Sequence, residues 1–168
     1  MGFLSIIRTG LNAMIDEANT PESFKMGQQF EDYVQEYLFP KNYYDILEKT
    51  HNYQTNRKSY VEASLNPDFK LRDRFNKKEF YIEAKFRTGF YDGKLVWCNE
   101  KQLQRYQVIN KQIPVFLILG DGGKADWPDH LSLIPLSKAK YTGLFPAFAD
   151  QFQIEPERPV SSKILWRI

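Results

Sequence analysis

The segment Phe80-Tyr81-Ile82-Glu83-Ala84-Lys85-Phe86-Arg87 decides the expected fold, because apolar and polar side chains alternate along it almost without interruption. Successive side chains of a β-strand point to opposite faces of the sheet. One face of this strand would carry Phe80, Ile82, Ala84 and Phe86. The opposite face would carry Tyr81, Glu83, Lys85 and Arg87. The segment therefore predicts a strand with an apolar face on one side and a carboxylate close to an ammonium group on the other.

Two further strands are predicted upstream of this segment. Residues 43–53 and 60–71 are rich in Tyr, Val, Thr and Ile, and residues 56–59 between them have the composition of a turn. The loop that contains residues 73–78 would close a hairpin between the second of these strands and the strand at 80–87. Three consecutive strands are therefore expected in the middle of the chain.

A helix and two more strands are predicted downstream. Asn99 is a good N-cap for a helix that runs through about Lys111. The buried edge of this helix would be formed by Leu103, Tyr106 and Ile109. Residues 114–119 form a continuous apolar run, which is typical of a strand buried on both faces. Residues 121–123 would turn the chain into another strand at 131–136, and one short helix is expected near residues 137–141.

Two helices are predicted before the first strand. Apolar residues recur at helical spacing within residues 1–20, and Thr20 followed by Pro21 is a plausible start for the second helix. This second helix would stop at Pro40. Its apolar face would consist of Phe30, Tyr33, Val34, Tyr37 and Leu38. The complete order predicts an α/β fold with a mixed sheet flanked by helices.

The composition of the 168-residue chain is that of an ordinary globular protein, with 42% hydrophobic and 26% charged residues. We expect a single domain, made of an N-terminal helix at 1–20, a core at 22–136 and a C-terminal extension at 137–168. The lone Cys98 excludes an internal disulfide and a multi-cysteine zinc site. No apolar run reaches the ~18–20 residues that cross a bilayer, and no signal peptide is recognisable. A soluble, cytoplasmic protein without a membrane partner is expected.

Three carboxylates and one lysine occupy informative places in this layout. Asp68 follows Pro67 at the start of a strand, and Glu83 and Lys85 share one face of the next strand. Glu31 borders the apolar stripe of the second helix, where it would be half-buried. Adjacent antiparallel strands can bring Asp68 close to Glu83. Two such carboxylates repel each other, and a hard divalent cation between them removes the conflict.

This order of residues resembles the PD-(D/E)XK nuclease superfamily, which includes restriction-endonuclease-like and Holliday-junction-resolvase-like enzymes. The resemblance covers roughly residues 22–120 and implies an α-β-β-β-α-β core and metal-dependent cleavage of DNA by activated water. It implies Mg²⁺, with Mn²⁺ able to substitute, held by Asp68, Glu83 and the backbone carbonyl of Ala84. It also implies that Lys85 activates water or stabilises charge, and that Glu31 binds metal through water or holds a second metal.

Many relatives carry a glutamine on the helix that follows the Glu-x-Lys strand. Gln102 is the preferred candidate here because it lies one turn before Tyr106, and Gln104 and Gln107 remain alternatives.

Residues 70–94 hold a local excess of four positive charges, eight basic residues against four acidic ones. This charge favours either contact with a nucleic-acid backbone or a solvated hairpin face. Candidate phosphate contacts are Lys70, Arg72, Arg87 and Arg105. Two alternatives to a DNA endonuclease stay open: a catalytically silent nucleic-acid-binding or assembly module on the same fold, and a metal-dependent hydrolase of another substrate. The choice between DNA and RNA and the presence of a homodimer also stay open.

Overall fold

The computed structural model describes residues 22–50 and 65–168. The predicted N-terminal helix, the Thr20-Pro21 helix start, the turn at 56–59 and the first part of the strand predicted at 60–71 lie outside these residues.

The centre of the protein is a five-stranded mixed sheet. Its strands are β1 (Tyr44–Lys49), β2 (Phe69–Asp73), β3 (Glu79–Arg87), β5 (Val115–Lys124) and β6 (Trp127–Pro135), in the spatial order β1-β2-β3-β5-β6. Neighbouring strands are antiparallel except β3 and β5, which are parallel. A separate two-stranded ribbon is formed by β4 (Leu95–Val96) and β7 (Gly143–Leu144). The predicted α/β class and mixed sheet are confirmed.

Two longer helices flank the sheet. Helix α1 (22–33) continues into a π-helical turn (Val34–Leu38) and ends just before Pro40, as its sequence predicts. Helix α2 (Glu100–Asn110) begins where expected, because the Asn99 side chain accepts a hydrogen bond from the Gln102 backbone N–H at 2.9 Å. The remaining helical segments are short: α3 (Pro146–Ala149), a 3₁₀ turn (Asp150–Phe152) and α4 (Ser162–Leu165). None of the helices in the described ranges is both long and apolar enough to span a membrane.

Each face of the sheet has its own apolar core. The α1 face packs Phe30 and Val34 of the helix against Ile82 and Phe86 of β3, and residues of the C-terminal segment such as Val160 join this core. The α2 face is filled by the second cluster, whose largest members are Trp97, Tyr106 and Leu117. Because alternate β3 residues face opposite cores, Glu83 and Lys85 lie on the α2 side.

Two local predictions are wrong. Residues 121–123 do not turn the chain, because β5 continues through Lys124 and the reversal comes at residues 125–126. Gly122 and Gly123 stay within the ladder with φ of +69° and +66°, a conformation open to glycine, so the sequence pattern of a turn appears inside a strand. Residues 137–141 form a turn rather than a short helix, and the helical segments of the tail come later, from Pro146 onward.

Candidate active site

Asp68 and Glu83 lie opposite each other on the same face of the sheet. The β2–β3 register pairs Phe69 with Ile82, so the next residue pair of the antiparallel ladder is Asp68 and Glu83. Directly opposite residues in such a ladder have side chains on one face, with Cβ atoms ~4.5–5.5 Å apart. The hairpin loop after Asp73 and before Glu79 sets this register, as the sequence predicts.

A proline in the ladder changes the hydrogen bonding of Ala84. Asp73 donates to the Lys78 carbonyl at 2.9 Å, so these two residues form a hydrogen-bonded pair of the ladder. Hydrogen-bonded and non-hydrogen-bonded residue pairs alternate along an antiparallel ladder. Counting from Asp73 and Lys78, Pro67 and Ala84 lie opposite each other in a hydrogen-bonded position. Proline has no N–H to donate. The Ala84 carbonyl therefore receives no ladder hydrogen bond from this strand.

The Asp68 carboxylate, rather than the Pro67 carbonyl, accepts the hydrogen bond from the Ala84 N–H. The Ala84 N–H donates to Asp68 Oδ2 at 2.8 Å, and the Pro67 carbonyl accepts from the Thr50 hydroxyl at 2.7 Å instead. The second oxygen of Asp68 accepts no hydrogen bond from the described residues. The Pro67-Asp68 pair thus fixes a carboxylate beside a backbone carbonyl to which Pro67 donates no hydrogen bond.

Glu83 is the most enclosed carboxylate of the site, with 1% of the residue exposed. Its Oε1 accepts from Lys85 Nζ at 2.7 Å and from Gln102 Nε2 at 3.1 Å. Its Oε2 accepts from the Tyr106 hydroxyl at 2.7 Å. Gln102 Nε2 also lies 2.9 Å from the Tyr106 hydroxyl, which closes the network. A carboxylate has about four lone-pair positions, so Oε2 keeps one acceptor position.

Helix α2 supplies two of these groups from one face. Residues four apart on a helix are neighbours, which places Gln102 and Tyr106 together above β3. Gln104 and Gln107 are exposed, so of the three candidate glutamines the structure brings Gln102 to Glu83. The hydroxyl contact of Tyr106 was not predicted, because its apolar spacing only indicated a buried helix edge. The sequence signal that indicates this contact is the four-residue spacing between Gln102 and Tyr106, which places the two side chains next to each other on the helix.

Burial and like charge dominate the electrostatics of the acidic pair. Burial, and then the nearby Glu83 carboxylate, raise the pKa of Asp68 well above its usual value, although Lys85 and the Ala84 N–H act in the opposite direction. Burial lowers the pKa of Lys85, but the Glu83 and Asp68 carboxylates outweigh it and raise this pKa above the usual value. Lys85 is therefore a fixed positive charge at neutral pH, and its side chain is 24% exposed.

Glu31 approaches the same charges from α1. Burial raises its pKa to about 7, with Lys85 and Lys49 lowering the value and Glu83 raising it further. Its carboxylate makes no hydrogen bond or ion pair with the described residues. Glu31 is thus electrostatically linked to Glu83 and Lys85, but the structure does not place it in the hydrogen-bonded network around Glu83.

The predicted phosphate contacts have different surroundings. Lys70 pairs with Glu79 at 3.1 Å and Arg72 with Asp45 at 3.0 Å, so both charges are largely neutralised. Arg87 donates to backbone carbonyls, among them that of Val96 at 2.5 Å. Arg105 differs, because its Nε is buried and finds no hydrogen-bond partner among residues 22–50 and 65–168.

The donor atoms of the site suit a divalent cation of the Mg²⁺ type. Asp68, Glu83 and the Ala84 carbonyl offer only oxygen ligands, which Mg²⁺ and Mn²⁺ prefer. Within residues 22–50 and 65–168, no group of three or more His, Cys, Asp or Glu residues is arranged to hold a metal. The fit therefore rests on two carboxylates and one carbonyl, completed by water and substrate oxygens, as is usual for Mg²⁺.

Other chemistry-bearing residues do not join the site. Burial raises the pKa of the Cys98 thiol to about 12, which disfavours the nucleophilic thiolate form. His130 is exposed on β6, and His51 lies outside the described residues.

Comparisons of the chain with protein-family models, with curated proteins and with solved structures find no match.

Proposed function

We propose that this protein is a Mg²⁺-dependent DNA endonuclease of the PD-(D/E)XK type that acts in the cytoplasm. The observation that carries the proposal is the position of Asp68 opposite Glu83, with Lys85 Nζ 2.7 Å from Glu83 Oε1. The acid, acid and lysine predicted from the sequence thus share one face of the sheet. The order α1, β1-β2-β3, α2, β5 supports the proposal, because the resemblance implies the same succession of elements, although the short β4 lies between β3 and α2.

Asp68, Glu83 and the Ala84 carbonyl would hold the cation. A bound Mg²⁺ would lower the pKa of a coordinated water and offset negative charge on the phosphate. Lys85 presents a permanent positive charge at the same carboxylate, where it can orient the attacking water and stabilise charge that develops on the phosphate oxygens. Gln102 and Tyr106 hold Glu83 in one orientation and thereby act as positioning residues.

A catalytically silent module on the same fold is the second candidate, and one observation favours it. Three side chains already donate to Glu83, so this carboxylate is satisfied by the protein itself. Such a network could serve stability alone. Within residues 22–50 and 65–168, Pro67 offers no N–H to the Ala84 carbonyl and the second oxygen of Asp68 accepts no hydrogen bond. These two oxygens favour the enzyme, because a purely structural network would be expected to satisfy them.

The test is incubation of the protein with supercoiled, linear, single-stranded and branched DNA, with Mg²⁺ or Mn²⁺ and with chelator. Cleavage that needs the metal and is lost in Glu83→Gln supports the enzyme. Glu79→Gln is the matched control, because Glu79 forms an ion pair with Lys70 on the same face of the same hairpin. Cleavage that survives Glu83→Gln, or no cleavage of any DNA form, contradicts the proposal.

A further inference from the structure

A second feature of the α2 side is a groove of about 940 Å³ beside the β4–β7 ribbon. Its walls include four aromatic side chains, one of which is Phe148, and three basic ones. The six that matter here are Tyr91, Tyr141, Phe145, Lys94, Lys138 and Lys140. None of these six residues takes part in the network around Glu83, and the sequence resemblance assigns no role to any of them.

The aromatic rings of the groove are strongly exposed. The exposed fractions are 78% for Tyr91, 73% for Tyr141 and 56% for Phe145. Their backbone is nevertheless held in place: the Tyr141 carbonyl accepts from Trp97 Nε1 at 2.8 Å, and Tyr91 and Lys94 pair across a tight turn with Gly93 at φ +71°. Exposed apolar rings on a fixed backbone are characteristic of a binding surface rather than of a core.

The lysines of the groove carry unneutralised charge. Within the described part of the chain, Lys94, Lys138 and Lys140 form no ion pair, whereas Lys70 and Arg72 on the sheet face are paired with carboxylates. Lys94 Nζ instead lies 5.1 Å from the centre of the Phe145 ring. Two carboxylates, Asp92 and Glu100, also line the groove, so the lysines leave a positive balance of one charge.

The groove adjoins the candidate active site. Val96 lines it, and the Val96 carbonyl accepts from Arg87 at the end of β3. Glu100 also lines it and lies two residues before Gln102 in the first turn of α2. A polymer in the groove would therefore pass close to Glu83.

We propose that this groove binds an unpaired stretch of DNA strand, with bases stacked on Tyr91, Tyr141 and Phe145 and phosphates facing Lys94, Lys138 and Lys140. The proposal rests on the proposed function in one respect, since it assigns the bound strand to the substrate of the same site. Base stacking on aromatic rings and electrostatic contact with the backbone are the two general means of binding single strands. Bases in a duplex already stack on each other, so their faces are unavailable to these rings.

The test compares strand binding by full-length variants in the presence of chelator, which prevents metal-dependent cleavage. The probes are fluorescent oligothymidylate and a blunt duplex of the same length, followed by anisotropy. Tyr141→Ala should weaken oligothymidylate binding by roughly 5- to 100-fold, the usual effect of losing one stacking ring. Lys140→Ala should weaken oligothymidylate binding. It should also reduce the slope of log binding constant against log salt concentration by about 0.7, the value for one lost phosphate contact on a single strand. Both side chains are exposed, so circular dichroism should show unchanged folding.

The controls are Phe75→Ala and Lys124→Ala, because neither residue lines the groove. Phe75 is an 88% exposed ring, and Lys124 is an exposed lysine that forms no ion pair with the described residues. Both controls should bind oligothymidylate like the wild type. Equal binding by wild type, Tyr141→Ala and Lys140→Ala overturns the groove proposal. If the wild type still cuts duplex with Mg²⁺ in that case, the proposed function survives. Groove-dependent binding without cleavage of any DNA supports the groove and overturns the enzyme.

Discussion

The Tyr106 hydroxyl donates a 2.7 Å hydrogen bond to Glu83 Oε2, while Lys85 binds the other oxygen of the same carboxylate from within β3. Glu83 is thus held between a helix and a strand, in a position where little of it meets solvent. A carboxylate held in this way has lost most of its rotational freedom before any ligand arrives. Burial of the Glu83 carboxylate costs desolvation free energy, and in return the carboxylate is already oriented for a ligand.

Removal of the Tyr106 hydroxyl tests this orientation. Tyr106→Phe should lower the free energy of unfolding by roughly 1–3 kcal/mol, because one oxygen of a buried carboxylate loses its donor. It should also reduce the DNA cleavage rate, since Glu83 would no longer be fixed. Urea denaturation and a cleavage assay measure the two effects.

Tyr44→Phe is the matched control, because it removes another buried hydroxyl, which donates to the Val160 carbonyl at 2.7 Å. It should lower stability without changing cleavage by the folded protein. Equal cleavage by Tyr106→Phe and Tyr44→Phe would show that the hydroxyl on Glu83 is only structural.

The three glutamines of α2 should differ in their effects. Gln102→Ala removes a donor from Glu83 and should lower the cleavage rate. Gln104→Ala and Gln107→Ala change exposed side chains and should leave both stability and cleavage within experimental error. Parallel rate measurements on the three variants check this order, and a larger loss at position 104 or 107 would refute it.

The stability of the metal-free protein should fall as pH rises towards neutrality. Burial raises the pKa of Glu31 from 4.5 to about 7, so the folded state binds more protons than the unfolded state between these values. The stabilisation is complete below about pH 4.5 and is lost as pH rises through about 7. We expect a loss on the order of 1–2 kcal/mol, measured by urea denaturation across this range with chelator present.

Glu31→Gln should reduce that pH dependence, because the amide does not titrate, and the raised pKa of Asp68 should account for the part that remains. Glu36→Gln, which changes an exposed carboxylate of the adjoining turn, should leave it unchanged. A pH profile that is the same in wild type and Glu31→Gln would contradict the burial of this carboxylate.

Divalent metal should stabilise the protein through Asp68 and Glu83. Mg²⁺ or Mn²⁺ at ten times its dissociation constant should add about 1.4 kcal/mol, or a Tm rise of about 3–6 °C. Asp68→Asn should remove most of this rise. Asp73→Asn is the control, since Asp73 is a buried carboxylate at the other end of β2 that accepts from Trp166 Nε1. It should lower Tm but retain the response to metal, and a wild-type Tm that ignores metal would exclude the site.

The parts of the fold that follow from local patterns were predictable from the sequence. The alternation at 80–87, the Asn99 cap and the apolar run at 114–119 each specify one element, and all three elements are confirmed. The polar face predicted for 80–87 is nevertheless buried as well, because Tyr81 and Glu83 lie under α2. The pairing of Asp68 with Glu83 followed from one short hairpin loop, which fixes the register of the two strands.

Features that depend on distant contacts were not predictable in the same way. The sequence shows no sign that β5 continues through Gly122 and Gly123, because the continuation depends on pairing with β6. Lys70 and Arg72 are predicted from the sequence as phosphate contacts, yet Glu79 and Asp45 on adjacent strands form ion pairs with them. A run of basic residues shows the local net charge of a segment. It does not show which carboxylates on neighbouring strands pair with those residues.

Nuclease activity that depends on Lys85 is tested by comparing wild type with Lys85→Ala on one labelled DNA duplex with Mg²⁺. Filter binding and cleavage are both measured. The assignment of Lys85 to water and developing charge predicts nearly equal DNA binding and a cleavage rate roughly 10²–10⁴-fold lower in the variant. Lys70→Ala, which breaks a surface ion pair on the same face, should cut at nearly the wild-type rate. If wild type and Lys85→Ala bind DNA equally and neither cuts it with Mg²⁺ or Mn²⁺, the protein is a binding module and the nuclease claim is wrong.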